Sequence, residues 1–220
     1  MERSLKNVPA AFAKALPQRS SQLWESVRQR YMESHRHYHG VDHLLALAEW
    51  FEEVERGPGW RQPREVACAM LFHDAVYLPG RVDNERQSAA LARLLIPEHS
   101  KFPIDMDRVD DLIVWTSQHG GDVTRWANDT DAGHFLDADM AILGADPAAF
   151  QRYDAGVRAE YLSVVPGPVF EEKRRMFLEA LLRSEIFITP MFRDRLDQRA
   201  RSNIKAAMDR SMNAPPTPRG

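Results

Sequence analysis

The run Val66 to Phe72, VACAMLF, is wholly apolar. A segment so short and so uniformly apolar belongs inside a protein, and its Ala67, Ala69, Met70 and Leu71 favour helix over strand. It therefore reads as a helix in the middle of a bundle, surrounded by other elements. The run stops abruptly at His73-Asp74, and two more carboxylates, Asp83 and Glu85, follow a short loop later. An imidazole and a carboxylate at the end of a core helix require an explanation.

The rest of the chain supplies the surrounding elements. Val41, Leu44, Ala48 and Phe51 recur at helical spacing, with Glu49, Glu52 and Glu53 on other faces. Ser88, Leu91, Ala92 and Leu95 mark a helix expected to end near Pro97, and Val109, Leu112, Ile113 and Thr116 mark the next. The polar stretch HGGDVTRWANDTDAGH reads as a loop, followed by a short apolar helix from His134 to Gly144. Asp146-Pro147 and Thr189-Pro190 each pair an N-cap residue with proline at the first helical position. Phe150, Tyr153, Val157 and Tyr161 follow the first pair, and Phe192, Leu196, Ala200 and Ile204 follow the second. Phe170, Phe177, Leu178 and Leu181 form one more helix between them. No strand pair and no internal repeat emerges. The expectation is an all-α chain of eight or nine helices, one domain over 1–220 with its core at about 20–208 and a frayed Pro-rich tail at 212–220.

Composition narrows the function classes. With 220 residues and a formal net charge of −3, the chain has no global basic field to recommend a nucleic acid polymer. Its five tryptophans are scattered and suggest no stacking platform. No stretch approaches the roughly 18 apolar residues of a membrane span, and MERSLKNVPAAFAKALPQRS lacks a signal-peptide core. Cys68 is the only cysteine, which fits a reducing cytoplasm and excludes a structural zinc site built on several thiolates.

A lone His-Asp pair is commonly a helix cap beside a surface carboxylate. Here it has company: His37, His39 and His43 lie upstream in RHYHGVDHL, and Asp137 and Asp139 lie downstream on the otherwise apolar FLDADMAILG. A carboxylate on an apolar face must be paired, bound to a cation or neutralised. Imidazoles and carboxylates together suit a divalent ion such as Mn, Fe, Co, Ni or Zn. Asp137 and Asp139 stand about 200° apart on a helix, so they cannot both point squarely at one ion. Gly40 and Asp42 suggest that a helix begins between His39 and His43, which makes His39 a substrate or supporting group.

The order His43, His73-Asp74, Asp137-Ala138-Asp139 resembles the H…HD…D signature of the HD superfamily of metal-dependent phosphohydrolases. The similarity is greatest to a bacterial branch known as predicted metal-dependent HD phosphohydrolases. It rests on RHYHGVDH, LFHDAVY, DNERQSA, TSQHG, FLDADMAILG, VRAEY and ARSNI, in order from about residue 30 to residue 205.

The resemblance implies an all-α fold and one divalent ion (Mn, Co, Ni, Fe, Zn or Mg) held by His43, His73, Asp74 and one late aspartate. Asp139 is preferred because it follows an alanine, as the ligand does in many HD proteins. Asp137 then supports a ligand histidine or caps a neighbouring helix. The implied reaction is hydrolysis of a small phosphoester, a nucleotide being one class, by a metal-activated water. Asp74 orients that water; Glu85 or Asp83 helps activate it, unless Asp83 caps the helix at Asn84. Arg36, His39 and His119 are expected at the substrate, with a surface salt bridge the alternative for Arg36. Arg158, Glu160, Tyr161, Arg201 and Asn203 line the entrance or form a buried polar network. The alternatives are a non-catalytic metal- or nucleotide-binding regulatory module and a di-iron oxygenase of HD type. A homodimer is left open.

Overall fold

The computed structural model describes residues 9–16, 20–100, 102–121, 123–126 and 128–213. Among these residues there are ten α-helices and no strand: α1 Ala10–Ala15, α2 Ser20–Tyr31, α3 Val41–Arg56, α4 Pro63–Phe72, α5 Asn84–His99, α6 Met106–Trp115, α7 Thr130–Met140, α8 Pro147–Leu162, α9 Gly167–Arg183 and α10 Pro190–Asn213. The all-α multi-helix bundle expected from periodicity is present, with two more N-terminal helices than the pattern marked. In α2 the pattern was there to read: Leu23, Trp24, Val27 and Tyr31 fall on one face and are all buried. In α1, Phe12 is buried and packs edge-on against Phe51, so the core starts before residue 20.

α4 is the central helix. Ala67, Cys68, Ala69, Met70 and Phe72 are each 0 % exposed. It packs against α1, α2, α3, α5, α6 and α7. Burying side chains such as Met70, Leu71 and Phe72 contributes about 1.5–3 kcal/mol each. Its N-terminus is fixed by Asp131, a buried residue of α7, whose carboxylate accepts from the backbone N–H of Arg61 (3.0 Å) and Gln62 (2.7 Å). That leaves the opposite end of α4, where His73 and Asp74 sit, held by a rigid rod.

Several boundaries differ from expectation for local reasons. α5 passes through Pro97 and ends at His99. The polar stretch after His119 stops being loop at Asp129, whose carboxylate accepts from Ala132 N–H and starts α7 four residues before His134. Met140 is followed by a 3-10 turn, Ala141–Gly144. Asp146 caps α8 as expected, accepting from Ala148 and Ala149 N–H. α10 does start at Pro190, but the Thr189 hydroxyl is committed to Asp137. α10 continues through Asn213, so the first two residues of the expected tail are helical, and the remaining tail, 214–220, lies outside the described residues. No described helix is long and apolar enough to cross a membrane.

Two close approaches set the last helices. Gly144 meets α10 so tightly that an added Cβ would lie 2.6 Å from Leu196 Cβ. Gly156 lets α8 approach the His37–His39 loop, with its missing Cβ 3.0 Å from the carbonyl oxygen of His37.

Candidate metal centre

Three helices deliver one candidate ligand each. His43 comes from the first turn of α3, which starts at Val41 with Gly40 at its N-cap, as the glycine suggested. His73 is the C-cap of α4, and Asp139 lies near the end of α7. Their ligand atoms converge into a group that can hold a metal ion. His43 Nε2 lies 3.1 Å from His73 Nε2 and 3.0 Å from Asp139 Oδ1, and His73 Nε2 lies 3.5 Å from the same oxygen. Asp74 adjoins the group, with Oδ2 3.1 Å from His73 Nε2 and 3.9 Å from His43 Nε2.

The donor set fits a cation. His73 Nδ1 donates to the carbonyl of Met70 (3.0 Å), so Nε2 is the ring nitrogen that faces the cluster. Two imidazole nitrogens and a carboxylate oxygen at this spacing need a shared proton or a bound cation among them. Donors about 2.1 Å from a shared ion would stand about 3.0–3.4 Å apart, close to the spacings observed. The local field points the same way. Burial works against charge on His73, but Asp74 and Asp139 outweigh it and hold its pKa well above the ordinary value. Burial also opposes charge on Asp139 and Asp74, yet His73 and their hydrogen bonds hold both carboxyls well below their usual range.

The pair of late aspartates divides as the helix geometry required. Asp139 joins the cluster, and its second oxygen takes a 2.7 Å bond from His119 Nε2. Asp137 points the other way. It accepts from the N–H of Ile188 and Thr189 and from the Thr189 hydroxyl, at 2.7, 2.7 and 2.6 Å, and so caps the start of α10. Burial raises its pKa to about 6 despite those donors.

The remaining expected site residues separate into near and far. Glu85 is half-buried; burial chiefly, with the nearby charge of Asp74, raises its pKa, while His73 and His119 oppose the rise. Asp83 instead forms a bidentate pair with Arg81 (2.8 and 2.6 Å) and accepts from Gln87; its side chain makes no cap at Asn84. Arg36 differs most from expectation. Its side chain is 0 % exposed. It donates to the carbonyls of His39 (3.0 Å), Asp74 (2.7 Å) and Ala75 (3.4 Å) and to Glu33, so the guanidinium braces the His-Asp turn. Tyr31 accepts from Asp74 N–H on the same turn. Downstream, Asn84 exchanges two bonds with the backbone of Leu78, and Ser88 two with that of Val76. The DNERQS stretch thus secures the loop that follows the ligands.

His39 is held away from the cluster by Glu160. Glu160 is fully buried, and its Oε1 accepts from three successive N–H groups, His37 (2.8 Å), Tyr38 (2.7 Å) and His39 (3.0 Å). Its Oε2 takes His39 Nδ1 (2.7 Å) and the Tyr77 hydroxyl (2.9 Å). Burial opposes charge there, but the bond and charge of His39 and the backbone donors bring the carboxyl down to about 2. His39 is correspondingly raised: burial is overcome by the Glu160 bond and the charges of Asp74, Glu160 and Asp139. The VRAEY and ARSNI residues therefore form polar anchors more than an entrance. Arg201 donates to the carbonyls of Leu182 and Ser184, Asn203 to those of Leu143 and Ala145, while Arg158 pairs with Glu171 at the surface. Asp131 had no sequence signal beyond being an acid in an apolar helix.

His43 and Asp139 also border a cavity of about 620 Å³. Comparison with family models, with curated proteins and with solved structures yields no match. The all-helical fold with a His/His/Asp cluster is compatible with an HD-type site.

Proposed function

We propose that this protein is an HD-type, metal-dependent phosphohydrolase acting on a small phosphoester, with nucleotides the first class to test. One observation carries the reading: His43, His73 and Asp139 converge from three helices with Asp74 beside them, in the chain order of the HD signature. A divalent ion bound there would supply Lewis acidity toward a phosphoryl oxygen and lower the pKa of water toward neutrality. The chain's own residues provide the rest. Asp74, 15 % exposed, orients the attacking water from the rim of the cluster. Glu85 accepts its proton, a role that suits a half-buried carboxyl whose pKa burial raises. Arg36 and Tyr31 fix the Asp74 backbone and so the aim of its carboxylate.

The test is phosphate release from a panel of nucleotides and sugar phosphates with Mn, Co, Ni or Mg added. Turnover should depend on metal and fall by about a hundredfold or more in Asp74→Ala. Stoichiometric metal with no turnover across the panel would overturn the reading in favour of a binding module.

A further inference from the structure

The cavity that opens from His43 and Asp139 has a second chemical character. Its lining includes Arg152 of α8 and Arg195 and Arg199 of α10. Arg195 and Arg199 are one turn apart and share a helix face. Their charges are poorly compensated. Among the described residues Arg152 has no hydrogen-bond or ion-pair partner. Arg199 donates through Nε to the carbonyl of Gly144, which is neutral. Arg195 lies over the Trp50 ring at 4.9 Å and pairs with Glu53 at 3.2 Å, but both members are well exposed and the pair is weak. Against three guanidinium groups the lining offers two carboxylates, Asp42 and Asp139, and the second belongs to the ligand cluster. Trp50 and Tyr153 add aromatic surface. A volume of about 620 Å³ lies within the range of small-molecule sites. Guanidinium groups suit phosphate because their fork donates two bonds at once.

We propose that this cavity is an anion subsite, which selects substrates carrying a second phosphate apart from the one at the metal cluster, on a small body that packs against Trp50 and Tyr153. Its role in substrate choice rests on the phosphohydrolase reading; anion binding rests on the arginines alone. The proposal follows from placement: the same concave surface presents two metal ligands and three cationic side chains, so one molecule can touch both.

Calorimetric titration of metal-free protein with inorganic tripolyphosphate tests the subsite without any reaction. Wild type should bind, more weakly as salt rises. The pair Arg152→Gln, Arg199→Gln should weaken binding about a hundredfold, since each removes a charge-assisted contact. Arg158→Gln, on the same helix but outside the cavity, and His73→Ala should bind like wild type, with circular dichroism confirming that each variant is folded. Absence of binding by wild type, or equal binding by the paired variant, overturns the proposal. In the metal-loaded protein the paired variant should raise KM for a polyphosphorylated substrate, whereas Arg158→Gln should leave it at the wild-type value. Arginine-dependent binding without turnover of any phosphoester would keep the subsite and refute the hydrolase; turnover with no arginine dependence would do the reverse.

Discussion

Replacing Glu160 with glutamine isolates the charge of one buried carboxylate. The side chain accepts five hydrogen bonds, three from consecutive backbone N–H groups and two from His39 and Tyr77. Its carboxyl titrates at about 2 in the folded protein against 4.5 for an ordinary glutamate. A depressed folded pKa contributes stability that is present above the unfolded value and is lost as pH falls through the folded one. The shift corresponds to about 3 kcal/mol at neutral pH. At pH 3.5, inside the window, about 2 kcal/mol remains. Glutamine keeps one oxygen for the backbone donors, but its amide faces the Tyr77 hydroxyl and His39, where an acceptor is needed. We expect Glu160→Gln to lose about 3 kcal/mol at pH 7, a fall in Tm of about 6–12 °C for a chain this size. Scanning calorimetry of both proteins at pH 7 and pH 3.5 should show the gap narrowing by about a third at the lower pH. A gap below about 2 °C at pH 7, or one that does not change with pH, would refute the reasoning.

Three further substitutions probe the scaffold around the cluster. Arg36→Lys leaves one ammonium where a fork serves the carbonyls of His39, Asp74 and Ala75; denaturant unfolding should show a loss of about 1–3 kcal/mol. Gly144→Ala places a Cβ 2.6 Å from Leu196 Cβ and should cost about 1–3 kcal/mol by forcing α10 outward, again by denaturant midpoint. Asp137→Asn turns an amide NH2 toward donors at the start of α10 and leaves an N–H there without an acceptor, so it should lower stability by about 1–3 kcal/mol while metal content, measured by mass spectrometry, stays at the wild-type level.

The parts of this molecule visible in its sequence are those set by local chemistry. The apolar run at Val66–Phe72 marked the central helix because no surface could tolerate it, and Asp137 and Asp139 stood out as carboxylates on an apolar helix, whereas the grouping of His43, His73 and Asp139 came from the resemblance to HD proteins. Helical geometry showed that Asp137 and Asp139 face apart, and the resemblance chose Asp139 between them. What stayed hidden depends on which side chains meet across the fold. Arg36 read as a substrate-facing cation or a surface salt bridge because two of its three carbonyl partners lie almost forty residues downstream. Asp131 and Glu160 bind backbone N–H groups at long range, and backbone donors carry no sequence label. Asp83 precedes a helix like a capping residue, yet Arg81, two residues earlier, captures its carboxylate first.

On the proposed function, His43, His73 and Asp139 together hold one divalent ion. Equilibrium dialysis against Mn, Co, Ni and Zn, followed by mass-spectrometric metal counting, tests it on wild type and Asp139→Asn. The expected result is about one ion per wild-type chain and at least a tenfold weaker affinity in the variant, with its melting transition retained. A wild-type chain that binds no ion, or a variant that binds it equally well, would contradict it.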